Sequence, residues 1–172
     1  MNRCIWASNA SPQMQEYHDR QWGVPVHDDR RHFEFLVLEA SQAGLSWSVV
    51  LHKRAGYARA FNRFDPGKVA RYSAQRIREL TQDPSITRNR RKIEAAVAND
   101  CPFLVVQKKF GTFDEYCWGY IGGCPRRNLW RIAKDVPATT PESDALSANL
   151  RKRGSDSLAP QSSMRTCSRP AW

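Results

Sequence analysis

One carboxylate, that of Glu39, lies in a stretch of sequence that is otherwise almost entirely apolar and that stops at Gly44. The apolar residues of this stretch are Phe33, Phe35, Leu36, Val37, Leu38, Ala40 and Ala43. A helix that is apolar nearly all round is buried. We expect this helix to begin at Asp28 or Asp29 and to end at Gly44. An ionised glutamate inside it loses its hydration, so it needs a partner or a task.

Four aromatic side chains lie close to this carboxylate in the sequence, at predicted element ends and in loops. They are Trp6, Tyr17, Trp22 and Trp47. A carboxylate among aromatic rings near a helix end suggests a pocket for a flat, electron-poor ring. The alternative is a structural glutamate whose charge is satisfied by backbone amides or by a lysine, because structural networks also bury acids. The residues alone leave both interpretations open.

The elements that must position these side chains are predicted to be helices. Asp65-Pro66, Thr112 with Glu115, and Thr140-Pro141 are typical helix starts. The last of these helices ends in a basic run before Gly154, as helix C-termini prefer. No segment alternates with the period of two that indicates a strand. The sequence therefore predicts an all-α fold in a single domain.

The overall charge of the chain indicates an anionic partner. The 172 residues carry a net charge of +10, and the pI is about 9.8. Nucleic acid fits this charge better than a membrane surface does. No run reaches the roughly 20 apolar residues of a membrane span, and the N-terminus lacks the pattern of a signal peptide.

The cysteines favour a reducing compartment. They are Cys4, Cys101, Cys117, Cys124 and Cys167. Their number is odd, they are widely separated, and no two form a CxxC pair. This pattern argues against a disulfide framework, so we expect reduced thiols in the cytoplasm.

Several motifs occur in an order that is specific to one family. They are Arg3-Cys4 with Trp6, Tyr17-His18-Asp19, residues 21–25 (QWGVP), residues 39–47, Phe64-Asp65-Pro66, residues 88–93 (RNRRKI) and residues 143–147 (SDALS). From residue 1 to about Gly154 the chain resembles the constitutive 3-methyladenine DNA glycosylases of type I. The resemblance implies a helix-hairpin-helix glycosylase-like fold and a monomer that acts on double-stranded DNA containing alkylated adenine.

The resemblance also implies a mechanism. The damaged nucleotide must be extruded, since its glycosidic bond is inaccessible within the stack. Trp47 and Tyr17 can then sandwich the cationic ring, while Glu39 accepts from the exocyclic amine. The bond is hydrolysed without lyase chemistry, which leaves an abasic site. Leu45 is either a wedge that fills the gap in the duplex or a core leucine, and the core alternative is slightly favoured.

A basic segment is predicted to bind the DNA backbone. The residues concerned are Arg88, Arg90, Arg91 and Lys92. The family places its helix-hairpin-helix here, where backbone N–H groups and cations contact phosphates without reading sequence. The alternative is a solvated basic helix end. Ser85 occupies a position where the hairpin would favour glycine, so we expect strain in this turn.

Cys4 and His18 match half of the zinc site found in the family. A structural zinc normally has four ligands, and the family takes the other two from its C-terminal segment. This chain does not supply them in an obvious way, because Cys167 is present without a closing histidine. Zinc is therefore expected to bind weakly.

The sequence after Gly154 is polar and lacks helical periodicity. We divide the chain into a glycosylase-like helical domain (residues 1–154) and an aberrant, disordered tail (residues 155–172). The tail can be encoded by a DNA sequence whose reading frame changes when a single base is restored after Gly154. The restored frame would encode FRFIGPTIVYAHMQ, which is the type of continuation that the family shows. We therefore hypothesise a one-base deletion. The family continues after this point with an apolar helix and the other two zinc ligands, which this chain lacks. If activity requires them, the chain is a non-catalytic DNA-binding remnant and not an active glycosylase.

Overall fold

The computed structural model describes residues 3–97, 102–128, 137–153 and 168–170, and helices dominate this part of the chain. Its α-helices are α1 (Ile5–Ser8), α2 (Pro12–Arg20), α3 (Asp29–Gln42), α4 (Trp47–His52), α5 (Arg54–Ala60), α6 (Pro66–Val69), α7 (Ala74–Gln82), α8 (Arg90–Val97), α9 (Pro102–Phe110), α10 (Phe113–Gly119) and α11 (Pro141–Lys152). A left-handed turn at Asn62–Phe64 joins α5 to α6. Within these ranges the strands are β1 (Arg126–Asn128) and β2 (Ser168–Pro170), which pair in parallel. The expected all-α single domain is confirmed.

Capping side chains define where the helices begin. In each case the side chain of the N-cap residue accepts a hydrogen bond from a backbone N–H in the first turn, which otherwise has no intrahelical partner. The N-caps that act in this way include Ser11, Asp28, Ser46, Asp65, Ser73, Thr112 and Thr140. The three helix starts predicted from the sequence are therefore confirmed.

Asp29 has a different task from its neighbour Asp28. Its carboxylate accepts from the backbone N–H groups of Phe113 (3.0 Å) and Asp114 (2.9 Å) at the start of α10. The amide of Gln107 also donates to it. Of the two predicted caps of α3, Asp28 is thus the one used, while Asp29 fastens α10 to α3.

Helix α3 lies at the centre of the hydrophobic core. It contacts α4, α8, α10 and the turn at Asn62–Phe64. The side chains of Phe33, Val37 and Leu38 are at most 4% exposed. The largest fully buried side chains of the neighbouring elements include Tyr57, Phe61, Ile86, Ile93 and Phe103. The core therefore holds α3, and with it Glu39, in one orientation.

Two further expectations concern membrane-spanning helices and the C-terminal tail. No helix in the described ranges has the length and apolar character that crossing a membrane requires. Most of the tail predicted from residue 155 lies outside the described residues, which include only Ser168–Pro170 of it.

Candidate functional site

The C-terminal end of α3 carries Glu39 and leads into an exposed loop. Glu39 is half-buried, and its Oε1 atom is shielded from solvent. The helix ends at Gln42, and Gly44 follows with φ +78°, a conformation that favours glycine. The N–H of Leu45 donates to the carbonyl of Gln42 (2.6 Å), and the Leu45 side chain is 38% exposed. The core alternative for Leu45 is therefore wrong.

Tyr17 and Trp47 form the aromatic surface nearest to this helix end. Tyr17 lies inside α2, not at an element end, and Trp47 is the first residue of α4. Their ring centroids are 5.4 Å apart with a 58° angle between the planes, and both rings are buried. The two rings contact each other, so they leave no gap between them for the sandwiched ring that the sequence predicted. A flat ligand would have to pack against this pair.

Trp6 and Trp22 belong to a separate aromatic group around His18. Trp6 packs edge-on against His18 (5.1 Å between centroids) and Trp22 (5.4 Å), while His18 stacks on Trp22 (5.3 Å). Tyr17 and His18 are adjacent on α2, so the two groups are neighbours in the fold. The structure thus divides the four predicted aromatic residues into two pairs with different surroundings.

His18 is held in a defined orientation next to Cys4. The backbone N–H of Cys4 donates to His18 Nε2 (3.3 Å), and His18 Nδ1 lies 2.9 Å from Asp19 Oδ1. A carboxylate behind a histidine is the usual support for a metal ligand. Burial raises the pKa of the Cys4 thiol. However, the described residues contain no group of three or more potential metal ligands, so they do not close a tetrahedral zinc site.

A second buried carboxylate in α3 was missed by the sequence analysis. Glu34 is only 6% exposed, and it pairs with Arg31 Nη1 (2.5 Å) and Arg54 Nε (2.6 Å). Arg54 also donates to Gln21 Oε1 (2.7 Å). The expectation of a single carboxylate in α3 is therefore wrong. The spacing of Arg31 and Glu34 was a usable signal, whereas Arg54 lies 20 residues away from Glu34 and approaches it only in the folded chain.

The loop between α7 and α8 is packed tightly onto α5. A Cβ atom added to Gly56 would lie 2.2 Å from the carbonyl oxygen of Ser85. Lys53 Nζ donates to the carbonyl of Pro84 (2.6 Å), and the N–H of Thr87 donates to Tyr57 Oη (3.1 Å). The close approach thus requires a glycine in α5.

Ser85 itself is unstrained, contrary to the expectation from the sequence. The left-handed non-glycine residues of the described chain are confined to Asn62–Phe64. The N–H of Ser85 donates to Asp83 Oδ1 (2.8 Å), which stabilises the turn. Hydrogen bonds from Ser85 also lower the pKa of Asp83.

The start of α8 presents the predicted DNA-binding cations in two ways. Arg88, Arg90 and Arg91 are exposed, and Arg90 pairs with Glu94 (2.7 Å) one turn later. Lys92 instead points to the end of α3, where its Nζ donates to the carbonyls of Ser41 (3.0 Å) and Ala43 (2.6 Å). The basic segment and the Glu39 region are therefore adjacent in the fold.

The chain is similar to known proteins over most of its length. Residues 6–165 match the family model described as methyladenine glycosylase. The chain is 40% identical over 154 residues to DNA-3-methyladenine glycosylase 1 of Escherichia coli, covering 90% of this chain and 82% of that protein. It is also 40% identical over 152 residues to DNA-3-methyladenine glycosylase of Haemophilus influenzae, covering 88% and 82%.

Solved structures show the same fold. A crystal structure of 3-methyladenine DNA glycosylase I superimposes with a TM-score of 0.89 at 37% identity, covering 96% of this chain and 92% of that one. The Staphylococcus aureus enzyme, solved to explain 3-methyladenine recognition, gives a TM-score of 0.89 at 34% identity, covering 97% and 90%. Since the similarity extends over most of its length, this chain belongs to the methyladenine glycosylase family.

Proposed function

We propose that this protein is a monofunctional DNA glycosylase that hydrolyses the N-glycosidic bond of 3-methyladenine in alkylated double-stranded DNA. One observation carries the proposal: the end of α3 joins a shielded carboxylate, Glu39, to an exposed loop leucine, Leu45, beside the basic start of α8. Related proteins that share this fold are named for the same reaction.

The first step is backbone binding and extrusion of the damaged nucleotide. The N-terminus of α8 and the exposed Arg88, Arg90 and Arg91 bind phosphates without selecting a base sequence. Leu45 enters the duplex and occupies the space that the extruded nucleotide leaves. Because damage arises in any sequence context, such a non-selective grip suits a lesion-seeking enzyme.

The second step is recognition of the extruded base. Methylation at N3 leaves a positive charge on the adenine ring. This cationic ring packs against the Tyr17–Trp47 pair, whose π-electrons attract it. The Glu39 carboxylate accepts from the exocyclic amine and favours the cation over neutral adenine. Trp6 and Trp22, which pack together next to His18, form the outer wall of the proposed base-binding pocket.

The third step is cleavage of a bond that is already weak. The electron pair of the glycosidic bond moves to the base, which leaves as neutral 3-methyladenine. Water adds to the sugar carbon and loses a proton, which produces an abasic site. Glu39 assists by remaining ionised close to the developing charge, where a low dielectric strengthens its effect.

Zinc enters the proposal only through the two residues that match half of the family's zinc site. Cys4 and His18 would hold a zinc ion, which would tie the N-terminal segment to another part of the chain. Two protein ligands leave water in the remaining positions, so binding is expected to be weak. The proposed reaction does not involve this metal. We also propose that the protein acts as a monomer and in the cytoplasm.

A base-release experiment tests the function. Duplex DNA alkylated with a methylating agent is incubated with the protein, and released bases are separated by chromatography. We expect 3-methyladenine, and no strand cleavage until alkali is added. The alternative, a non-catalytic remnant, predicts binding to an abasic-site duplex in a gel shift without release of any base.

A further inference from the structure

The side chain of Lys92 crosses from α8 to the C-terminal end of α3. Its Nζ atom donates to the carbonyls of Ser41 and Ala43, which are 51 and 49 residues away in the sequence. The last carbonyl groups of an α-helix have no N–H partner within the helix, and an ammonium group complements the partial negative charge there. Lys92 therefore caps α3 from a distant element.

The backbone of Lys92 stabilises the start of its own helix. Its N–H donates to Asn89 Oδ1 (3.2 Å), and the next N–H, that of Ile93, donates to the Asn89 carbonyl (3.1 Å). Asn89 is thus the N-cap of α8. The first two residues of that helix, Arg90 and Arg91, are exposed. Lys92 is therefore bonded to both helix ends. Its backbone N–H is bonded at the start of α8, and its side chain is bonded at the end of α3.

The loop that follows α3 is open at Gly44. A Cβ atom built on this glycine would have no heavy atom within 4 Å, so the loop is open in the direction in which a side chain would project. Leu45, the next residue, is exposed. Glu39 lies two residues before Ser41 on the same helix end. The two hydrogen bonds from Lys92 to Ser41 and Ala43 therefore connect this loop to α8.

The burial of the Lys92 ammonium group is consistent with contacts inside the protein. The ammonium of Lys92 is partly withdrawn from water, and this burial lowers its pKa. Two of its three N–H groups are donated to protein carbonyls. A lysine that serves mainly as a phosphate contact would keep its ammonium in solvent, as the neighbouring arginines keep their guanidinium groups.

We propose that Lys92 is a positioning residue of the glycosylase reaction. It holds Leu45 and Glu39 at a fixed distance from the phosphate bound at the start of α8. Backbone binding then places the target nucleotide between the wedge and the pocket. This inference rests on the proposed function, and it replaces a direct phosphate contact for Lys92 with a structural coupling between two helix ends.

The experiment compares Lys92→Met with the wild-type protein. Methionine keeps the unbranched side chain and the helix propensity but cannot donate a hydrogen bond. We expect the single-turnover rate of base release at saturating enzyme to fall about ten- to a hundredfold, because a displacement of about 1 Å has effects of this size. Affinity for undamaged duplex and the slope of log affinity against log salt should stay unchanged.

A direct phosphate contact predicts the opposite result and would overturn the inference. In that case the salt slope would become shallower by about 0.9, while the rate at saturation would stay the same. Lys92→Arg should restore most of the rate, since guanidinium also donates several hydrogen bonds. Lys108→Met, at an exposed position of α9, removes the same charge and should leave both quantities unchanged.

A second measurement separates this inference from the proposed function. Amide hydrogen exchange at residues 43–46 should accelerate about tenfold or more in Lys92→Met, whereas exchange in α7 should not change. If the wild-type chain releases no base, the proposed function fails, but the exchange result still decides the role of Lys92. Unchanged exchange at residues 43–46 would rule out the positioning role.

Discussion

At the scale of single residues, the two glutamates of α3 have different surroundings. Glu34 is neutralised by Arg31 and Arg54, and this ionic cluster accounts for its burial. Glu39 lies more than one helical turn closer to the exposed loop, with a shielded oxygen atom. Glu34 is thus a structural glutamate, whereas the sequence left the choice between a structural and a ligand-binding role open for Glu39.

The first prediction concerns Glu39. Glu39→Gln preserves shape and removes the negative charge that favours the methylated cation. We expect the melting temperature and the affinity for an abasic-site duplex to stay unchanged, while single-turnover release of 3-methyladenine falls by about a hundredfold. Chromatography of the released base measures the effect. A variant that releases base at the wild-type rate would exclude Glu39 from recognition.

Glu34→Gln is the matched control on the same helix. It leaves Arg31 and Arg54 without a carboxylate partner, so it should lower the free energy of unfolding by about 1–3 kcal/mol. Urea denaturation measures this decrease. Release per folded molecule should change little, which is the reverse of the pattern expected for Glu39.

At the scale of elements, the α7–α8 loop obtains its shape from its contact with α5. Its backbone is fastened by Lys53, Tyr57 and Asp83. The buried side chain of Ile86 anchors it in the core. The start of α8, for which we propose phosphate binding, therefore depends on Lys53 and Tyr57, which lie outside this loop.

The second prediction tests this dependence at Gly56. Gly56→Ala places a methyl group against the Ser85 carbonyl, so it should destabilise the protein by about 1–3 kcal/mol. It should also weaken duplex binding. The control is Gly119→Ala at the end of α10, where a Cβ atom meets no neighbour within 4 Å. This change should be neutral or slightly stabilising. Urea denaturation of both variants checks the prediction, and equal destabilisation would contradict the proposed packing.

The third prediction concerns the pH dependence of the same loop. The hydrogen bonds from Ser85 lower the pKa of Asp83 in the folded protein relative to its ordinary value of 3.8. A lowered carboxyl pKa stabilises the folded state above the unfolded pKa, and this stability is lost as the pH falls through the folded pKa. Wild type should therefore be more stable than Asp83→Asn at pH 7, and the difference should shrink as the pH falls below 3.8 and through the lowered pKa of the folded protein. Denaturation at a series of pH values measures it; a constant difference would exclude this titration.

At the scale of the whole molecule, the net charge of +10 favours an anionic partner but does not specify where that partner binds. In the proposed function, the cations at the start of α8 bind the phosphates next to the extruded base. The distribution of charge, more than its sum, therefore decides productive binding.

The fourth prediction separates local from overall charge. Replacing Arg90 and Arg91 by alanine should weaken duplex binding equally for all sequences. The slope of log affinity against log salt should become shallower by about 0.9 for each phosphate that the variant no longer binds. The control replaces Arg151 and Lys152, exposed residues of α11, with the same change in charge. A slope that changes only in the control would place the DNA surface on α11.

The fifth prediction concerns zinc. With Cys4 and His18 as its matched ligands, the chain should retain less than one zinc ion per molecule after dialysis against a mild chelator. Metal analysis by mass spectrometry decides this. Restoring the hypothesised reading frame after Gly154 should raise both the zinc content and the melting temperature. Stoichiometric zinc in the present chain would instead make Cys167, which lies outside the described residues, the first candidate for mutation.

The sequence by itself determined the features that act over short distances. Caps such as Asp65 and Thr140 specify helix starts because their side chains bond to N–H groups three residues away. The apolar residues on nearly all sides of α3 predicted that it lies in the core, and the order of the motifs identified the family. These features need no knowledge of which helices meet.

Only the tertiary structure decided contacts between residues that are distant in the chain. Arg54 neutralises Glu34, Gly56 admits the carbonyl of Ser85, and Lys92 caps α3 because the helices pack side by side. The same packing brings Tyr17 against Trp47 and leaves Leu45 exposed. Packing depends on the shapes of whole elements, so a motif shows that Lys92 is basic but not which helix end receives its ammonium group.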